Sequence, residues 1–177
     1  MNSKTLSISK SIERYIYSNS NDFNLHEVAF LALAKKVSSN DIKIFKLFKS
    51  NILNNKKTSI NINKMDQLSL IKYCLENNFY PVIIHTHIGN IHKLDFSYED
   101  RLFEQGFIKA CNILGYNKIL ISIIYCKTGY TARICSSYKY KYLEIAHTQK
   151  LKCFNINNNL IFIENLLYKL KFFILGG

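Results

Sequence analysis

Proline and glycine are scarce in this 177-residue chain, with one and six residues. Beside a hydrophobic fraction of 48%, that scarcity argues against disorder and leaves apolar material for one sizeable core. Paired cysteines are also missing. Cys74, Cys111, Cys126, Cys135 and Cys153 form no CxxC pair and are odd in number. They fall inside apolar runs, where a reduced thiol behaves as a small hydrophobe, so a reducing cytosol is the expected compartment. The N-terminus lacks the uninterrupted apolar core of a signal peptide. No apolar run reaches ~18 residues free of charge. The nearest, 160–175, is interrupted by Glu164, Lys169 and Lys171. The expectation is a soluble, cytoplasmic protein with no membrane partner.

Acidic residues are few: 12 against 24 basic ones, a net charge of +12. That excess admits a nucleic-acid or acidic-protein partner. The lysines are scattered, however, within a chain rich in Asn, Ile and Lys together, a pattern that an AT-rich coding bias also produces. Length and composition favour one domain across 1–177.

Along the chain, Thr5 to Ser9 reads as a short strand and Ser9 to Ser18 as a helix, with Ile12, Tyr15 and Ile16 on one face. Leu25 to Ala34 has the Ala and Leu content of a helix. Its apolar density on both faces, and the alternation of Ile42, Ile44 and Leu47 after it, favour two paired strands with Ser38 to Asp41 as the turn. A third short strand is expected over 59–62. Asn63 or Asp66 then caps a helix to about Asn77, with Leu68, Ile71, Cys74 and Leu75 inward.

A strand over Pro81 to His87 follows, and a helix over 97–114 that buries Leu102, Phe103, Phe107, Ala110, Cys111 and Leu114 and stops at Gly115. Lys118 to Tyr125 is a strongly apolar strand. Lys127-Thr128-Gly129 turns it into Tyr130 to Cys135, with further strand material at 138–145 and 151–156 and a closing helix at 160–174. The expected architecture is α/β, a single domain with a mixed curved β-sheet flanked by helices.

Chemistry concentrates at Val82-Ile83-Ile84-His85-Thr86-His87 and Phe96-Ser97-Tyr98-Glu99-Asp100. Positions two apart on a strand share a face, so His85 and His87 can converge on one ion. Ser97 and Asp100, three apart, share a helical face. Two imidazoles and a carboxylate make the three-ligand set of a catalytic zinc with a fourth position open. Taken singly the signals have plainer meanings. HxH occurs in cores and at strand ends, and SxxD before a periodic run is a helix cap. Glu27, heading an almost wholly apolar strand, is out of place unless solvated or used, because an unpaired buried carboxylate is costly.

The order of these signals resembles the JAB/MPN/JAMM metallopeptidase family, whose signature is an upstream Glu followed by H-x-H and S-x-x-D. Glu27 in HEVAFLALA, His85 and His87 in VIIHTH, and Ser97 and Asp100 in FSYED carry the likeness, and the element order matches over about residues 5–136. Residues 137–177 are then a C-terminal extension of the same domain. Two departures stand out. Residues 88 to 96 separate His87 from Ser97, a longer gap than the family usually has, and Ile88 replaces its common Pro. Loop closure changes by only about a few tenths of a kcal/mol for such a lengthening.

The resemblance implies Zn2+ held by His85, His87 and Asp100, with Glu27 as general base and Ser97 as the donor to the oxyanion. It further implies a peptidase or isopeptidase acting at the C-terminus of ubiquitin or a ubiquitin-like protein, with activating or conjugating enzymes as further partners. The chain's own Leu175-Gly176-Gly177 looks like such a tail, although an ordinary chain end is the plainer reading.

His92 could serve as an extra ligand but suits a solvated loop, and His26 would point away from Glu27. His147 has no assignment. Tyr130 and Arg133 could touch substrate but suit a solvated edge better. Three other readings remain: a barrel hydrolase, for which too few residues follow His87; a metal-free scaffold, against which the complete set of five residues argues; and a non-catalytic basic module of the same fold that binds nucleic acid or an acidic protein.

Overall fold

The computed structural model describes residues 5–19, 27–49, 62–87, 95–126, 129–136, 139–142 and 144–145. They form β1 (Thr5–Ile8), α1 (Lys10–Asn19), β2 (Ala29–Lys36), β3 (Asp41–Lys49), α2 (Lys64–Asn77), β4 (Tyr80–Thr86), α3 (Tyr98–Ile113), β5 (Leu120–Cys126), β6 (Gly129–Ser136), β7 (Lys139–Tyr142) and β8 (Glu144–Ile145). The expected strands at 59–62 and 151–156, the closing helix at 160–174, and His26, His92 and His147 lie outside the described residues, Ile62 excepted.

The eight strands make one mixed sheet in the order β7-β6-β5-β4-β2-β3-β1-β8. β7 ends at Tyr142 on one edge and β8 begins at Glu144 on the other. Two residues of chain span at most ~7 Å, so the edges must approach each other and the sheet must curl. Alternate side chains feed two apolar layers. Phe30, Ala32, Val82, Ile84, Ile121 and Ile123 pack on one face with Ile12 and Ile16 of α1. Leu31, Leu33, Ile83 and Leu120 pack on the other against Leu70, Ile71 and Cys74 of α2 and Phe107 and Cys111 of α3. β2 and β4 are covered on both faces, which is why neither alternates in sequence.

The helix caps follow the residues that suit them. The Asn63 side chain accepts the Met65 N–H at 2.8 Å, and Asn78 takes the left-handed conformation, φ 60°, that ends α2. Gly115, φ 75°, does the same after α3. Expectation and structure part on which Leu side chains go inward. Leu68, Leu75 and Leu102 are exposed, while Asp66 on α2 and Glu104 on α3 are buried. Each helix buries only the stripe facing the sheet, through Asp66, Leu70 and Cys74 and through Glu104, Phe107 and Cys111. Leu68, Leu75 and Leu102 lie off those stripes.

Connectivity decides where the site forms. β4 and β5 are parallel neighbours, so the chain must cross over between them, and α3 is that crossover. A crossover helix runs back along the sheet, which puts the first turn of α3 at the end of β4. β2 is antiparallel to β4, so the start of β2 lies at that same end. Three separate stretches of sequence therefore arrive together.

Candidate metal centre

His85 and His87 lie at the end of β4 on the face covered by α2 and α3, both buried. Their Nε2 atoms stand 3.1 Å apart. Asp100, in the first turn of α3, completes the group: His85 Nε2 lies 3.0 Å from Oδ1 and His87 Nε2 3.4 Å from Oδ2. Donors ~2.0–2.2 Å from a tetrahedral zinc lie about 3.3–3.5 Å from one another. Each imidazole thus stands about as far from its own oxygen of the carboxylate as two ligands of one zinc stand from each other, and one atom from each residue can be chosen with all three within 4.8 Å. The chemistry of the donors is compatible with this: the two Nε2 atoms face a common point, and each neutral imidazole can present a lone pair there to a cation. The residues present fit a divalent metal with N/O preference, zinc among them.

Asp100 is positioned by its own helix cap. The Ser97 N–H donates to Asp100 Oδ2 at 2.7 Å, and the Asp100 N–H donates to Ser97 Oγ at 3.1 Å, a reciprocal capping box. The cap and the ligand are therefore the same carboxylate. Burial alone would raise the Asp100 carboxyl. Hydrogen bonding from His85 and His87, the charge of His85 and the Ser97 N–H outweigh it and hold the group well below the usual carboxylate range. Ser97 Oγ uses a lone pair for the cap, which leaves its O–H able to donate elsewhere.

Glu27 enters by register. Ala29 pairs with His85, the Val28 N–H donates to Thr86 Oγ1 at 2.8 Å, and the Thr86 N–H donates to the Val28 carbonyl at 2.9 Å. Continuing that ladder sets Glu27 beside His87 on the same face. Burial pushes the Glu27 carboxyl up, and the adjacent His87 and His85 draw it partly back. A carboxyl raised in this way is suited to taking up and releasing a proton.

A cavity of about 280 Å³ joins these groups. Glu27, His85, His87, Ser97 and Asp100 all line it, with Ile83, Glu99, Phe103, Glu104 and Ser122. All five residues singled out in the sequence thus meet in one place. The sequence reasoning did not assign Glu99, Phe103, Glu104 or Ser122 to the site. Two of these carried a signal: Ser122 is the polar residue within the apolar run Leu120 to Tyr125, and Glu104 stands four residues from Asp100, on its helical face.

Arg133 corrects an expectation. It is not on a solvated edge, because β6 lies between β5 and β7, and its side chain is 2% exposed. Its guanidinium forks onto the Glu104 carboxylate, with Nε 3.2 Å from Oε1 and Nη2 on Oε2. Its other face lies 3.7 Å from the Phe96 ring centroid. Tyr130 is buried as well and stacks on Tyr125 at 5.7 Å.

No protein-family model matches the chain, and no curated protein matches it. Among solved structures it is similar to the solution structure of protein DSY2949 from Desulfitobacterium hafniense, a structural-genomics target. The identity is 14%, the TM-score is 0.53, and the match covers 83% of this chain and 95% of that one. The two share a fold. At that identity the likeness extends to the mixed α/β architecture alone. No helix among the described residues is long and apolar enough to cross a membrane.

Proposed function

We propose that the chain is a zinc-dependent peptidase or isopeptidase of the JAB/MPN/JAMM kind, cleaving at the C-terminus of a ubiquitin-like protein. The observation that carries this reading is the convergence of His85, His87 and Asp100 within 4.8 Å of one another, with Glu27 lining the same cavity. Structural needs alone do not gather all of these groups at one sheet end. Bound zinc would supply Lewis acidity, sufficient to bring the pKa of a coordinated water to around 7.

This chain's own residues do the rest. His85, His87 and Asp100 hold the ion. Glu27 takes the proton of the attacking water and delivers it to the leaving amine. The Ser97 hydroxyl donates to the carbonyl oxygen as it gains charge. The ubiquitin-like substrate and any conjugating partners rest on the family resemblance. Cys74, Cys111 and Cys135, free and buried, suit a reducing cytoplasm.

Metal analysis together with cleavage of a ubiquitin-like fusion tests the proposal. The expected result is about one zinc per chain and turnover abolished by chelation. A purified chain that takes up no zinc after incubation would sink it.

One observation favours a second reading. Lys35 lies directly opposite Lys43 on the β2–β3 hairpin, and Lys36 and Lys46 are also exposed there. Like charges in register destabilise a sheet, so an anionic partner would relieve them. A non-catalytic basic module binding nucleic acid or an acidic protein predicts salt-sensitive binding that survives metal removal.

A further inference from the structure

The ion pair of Glu104 and Arg133 is the most deeply buried charge in the described residues, at 1% and 2% exposure, and the mechanism above does not use it. It is also tied to the candidate metal centre from two sides. Glu104 stands one helical turn after Asp100 on α3, so the two carboxylates share a face. Arg133 lies against the Phe96 ring at 3.7 Å, and that ring meets the His85 ring edge-on at 6.2 Å. Phe96 immediately precedes Ser97, whose N–H holds the Asp100 carboxylate.

The contacts therefore close a ring: His85 to Phe96, Phe96 to Arg133, Arg133 to Glu104, Glu104 along α3 to Asp100, and Asp100 back to His85. Three elements, β4, β6 and α3, each contribute. A planar guanidinium fits both of its neighbours at once, forking onto a carboxylate with its edge and stacking on an aromatic with its face.

We propose that Glu104 and Arg133 are positioning residues that set where Asp100 meets His85 and His87, and so set the metal affinity of the site. This rests on the reading of the three residues as metal ligands. Breaking the clamp frees the second turn of α3 and Phe96, which flank the first turn, from Arg133 of β6, and the carboxylate moves off the two imidazoles. Groups that orient metal ligands typically change affinity by about 10–100-fold when removed.

The test uses two variants of the full chain. Arg133→Lys keeps the charge but loses the fork and the planar stacking face. The double variant Glu104→Leu/Arg133→Met removes both charges for apolar side chains, a replacement that buried pairs often tolerate without loss of fold. Zinc affinity is measured by competition with a chelator, and ligand geometry by the visible spectrum of the cobalt-loaded protein. Thermal melting of the metal-free forms reports stability alone.

Both variants are expected to bind zinc about 10–100-fold more weakly, with an altered cobalt spectrum. The double variant should melt near the wild type, a combination that a merely structural role would not produce. A folded double variant with wild-type zinc affinity and cobalt spectrum overturns the proposal. Wild-type protein that binds no zinc sinks the metal reading instead. The clamp is then judged from a crystal structure of the double variant, where an Asp100 carboxylate still 3.0 Å from His85 Nε2 would refute it, and a displaced one would uphold it.

Discussion

Asp100 holds two positions that are usually given to different residues. It closes the capping box of α3 with Ser97 and faces both imidazoles with the same carboxylate. Ser97 is shared in the same way, since its oxygen caps the helix while, in the proposed reaction, its proton is donated to the substrate carbonyl. Ser97→Ala should therefore lose both, about 1 kcal/mol of stability and ~10²–10³-fold in turnover. Ser97→Thr, which keeps the hydroxyl, should recover most of each. Urea unfolding and cleavage rates measured on the same preparations check this, and a Ser97→Ala protein with normal turnover would leave Ser97 as a cap alone. For Glu27→Gln, zinc content and melting should stay as in wild type while cleavage falls by ~10²–10⁴-fold; unchanged turnover would remove Glu27 from the chemistry.

The five named residues were legible because each has a side chain whose presence needs a reason. The burial of Arg133 is not legible in the same way, because an arginine in a short strand is usually solvated. Its burial depends on Glu104 and Phe96, which reach it from other elements and leave no local trace.

At the scale of elements, local signals persisted in the paired strands and at the helix ends. The paired strands β2 and β3, both helix caps and the stop at Gly115 all follow from local sequence. The inward faces of α2 and α3 did not, because the rotation of a helix on its sheet depends on packing that sequence spacing leaves open within about a third of a turn. Leu68, Leu75 and Leu102 fell on the wrong side of that uncertainty.

The layer beneath these helices has its own pH signature. Burial pushes the Cys74 and Cys111 thiols from 9.0 up to about 12. The folded state thus favours the neutral thiol, so its contribution is complete below pH 9.0 and is lost as pH rises toward about 12. The urea midpoint should accordingly fall between about pH 8 and about pH 11. A Cys74→Ala/Cys111→Ala protein, less stable at neutral pH because of the cavities it creates, should show a shallower fall. An equally steep fall would assign the alkaline loss to other groups, Tyr130 among them, whose hydroxyl burial pushes up to about 12.

For the molecule as a whole, the net charge of +12 stands apart from the candidate site. The Lys35 and Lys43 pair sits at the far end of β2 from Glu27. If the basic surface recruits an acidic partner, affinity should fall linearly on logarithmic axes as salt rises from ~50 to ~200 mM, while the rate on a short peptide substrate should change little. Binding indifferent to salt would make the charge a bystander.

The sheet also has a property that no single strand has. Most open sheets end in two rows of unsatisfied backbone groups, which invite other chains to add on. Here the chain that leaves one border at Tyr142 immediately docks at Glu144 and Ile145 beside Thr5 and Leu6 of the opposite border. A two-residue latch thus covers the first half of the Thr5–Ile8 border and shortens the row that an outside strand could use as a template, at almost no cost in sequence.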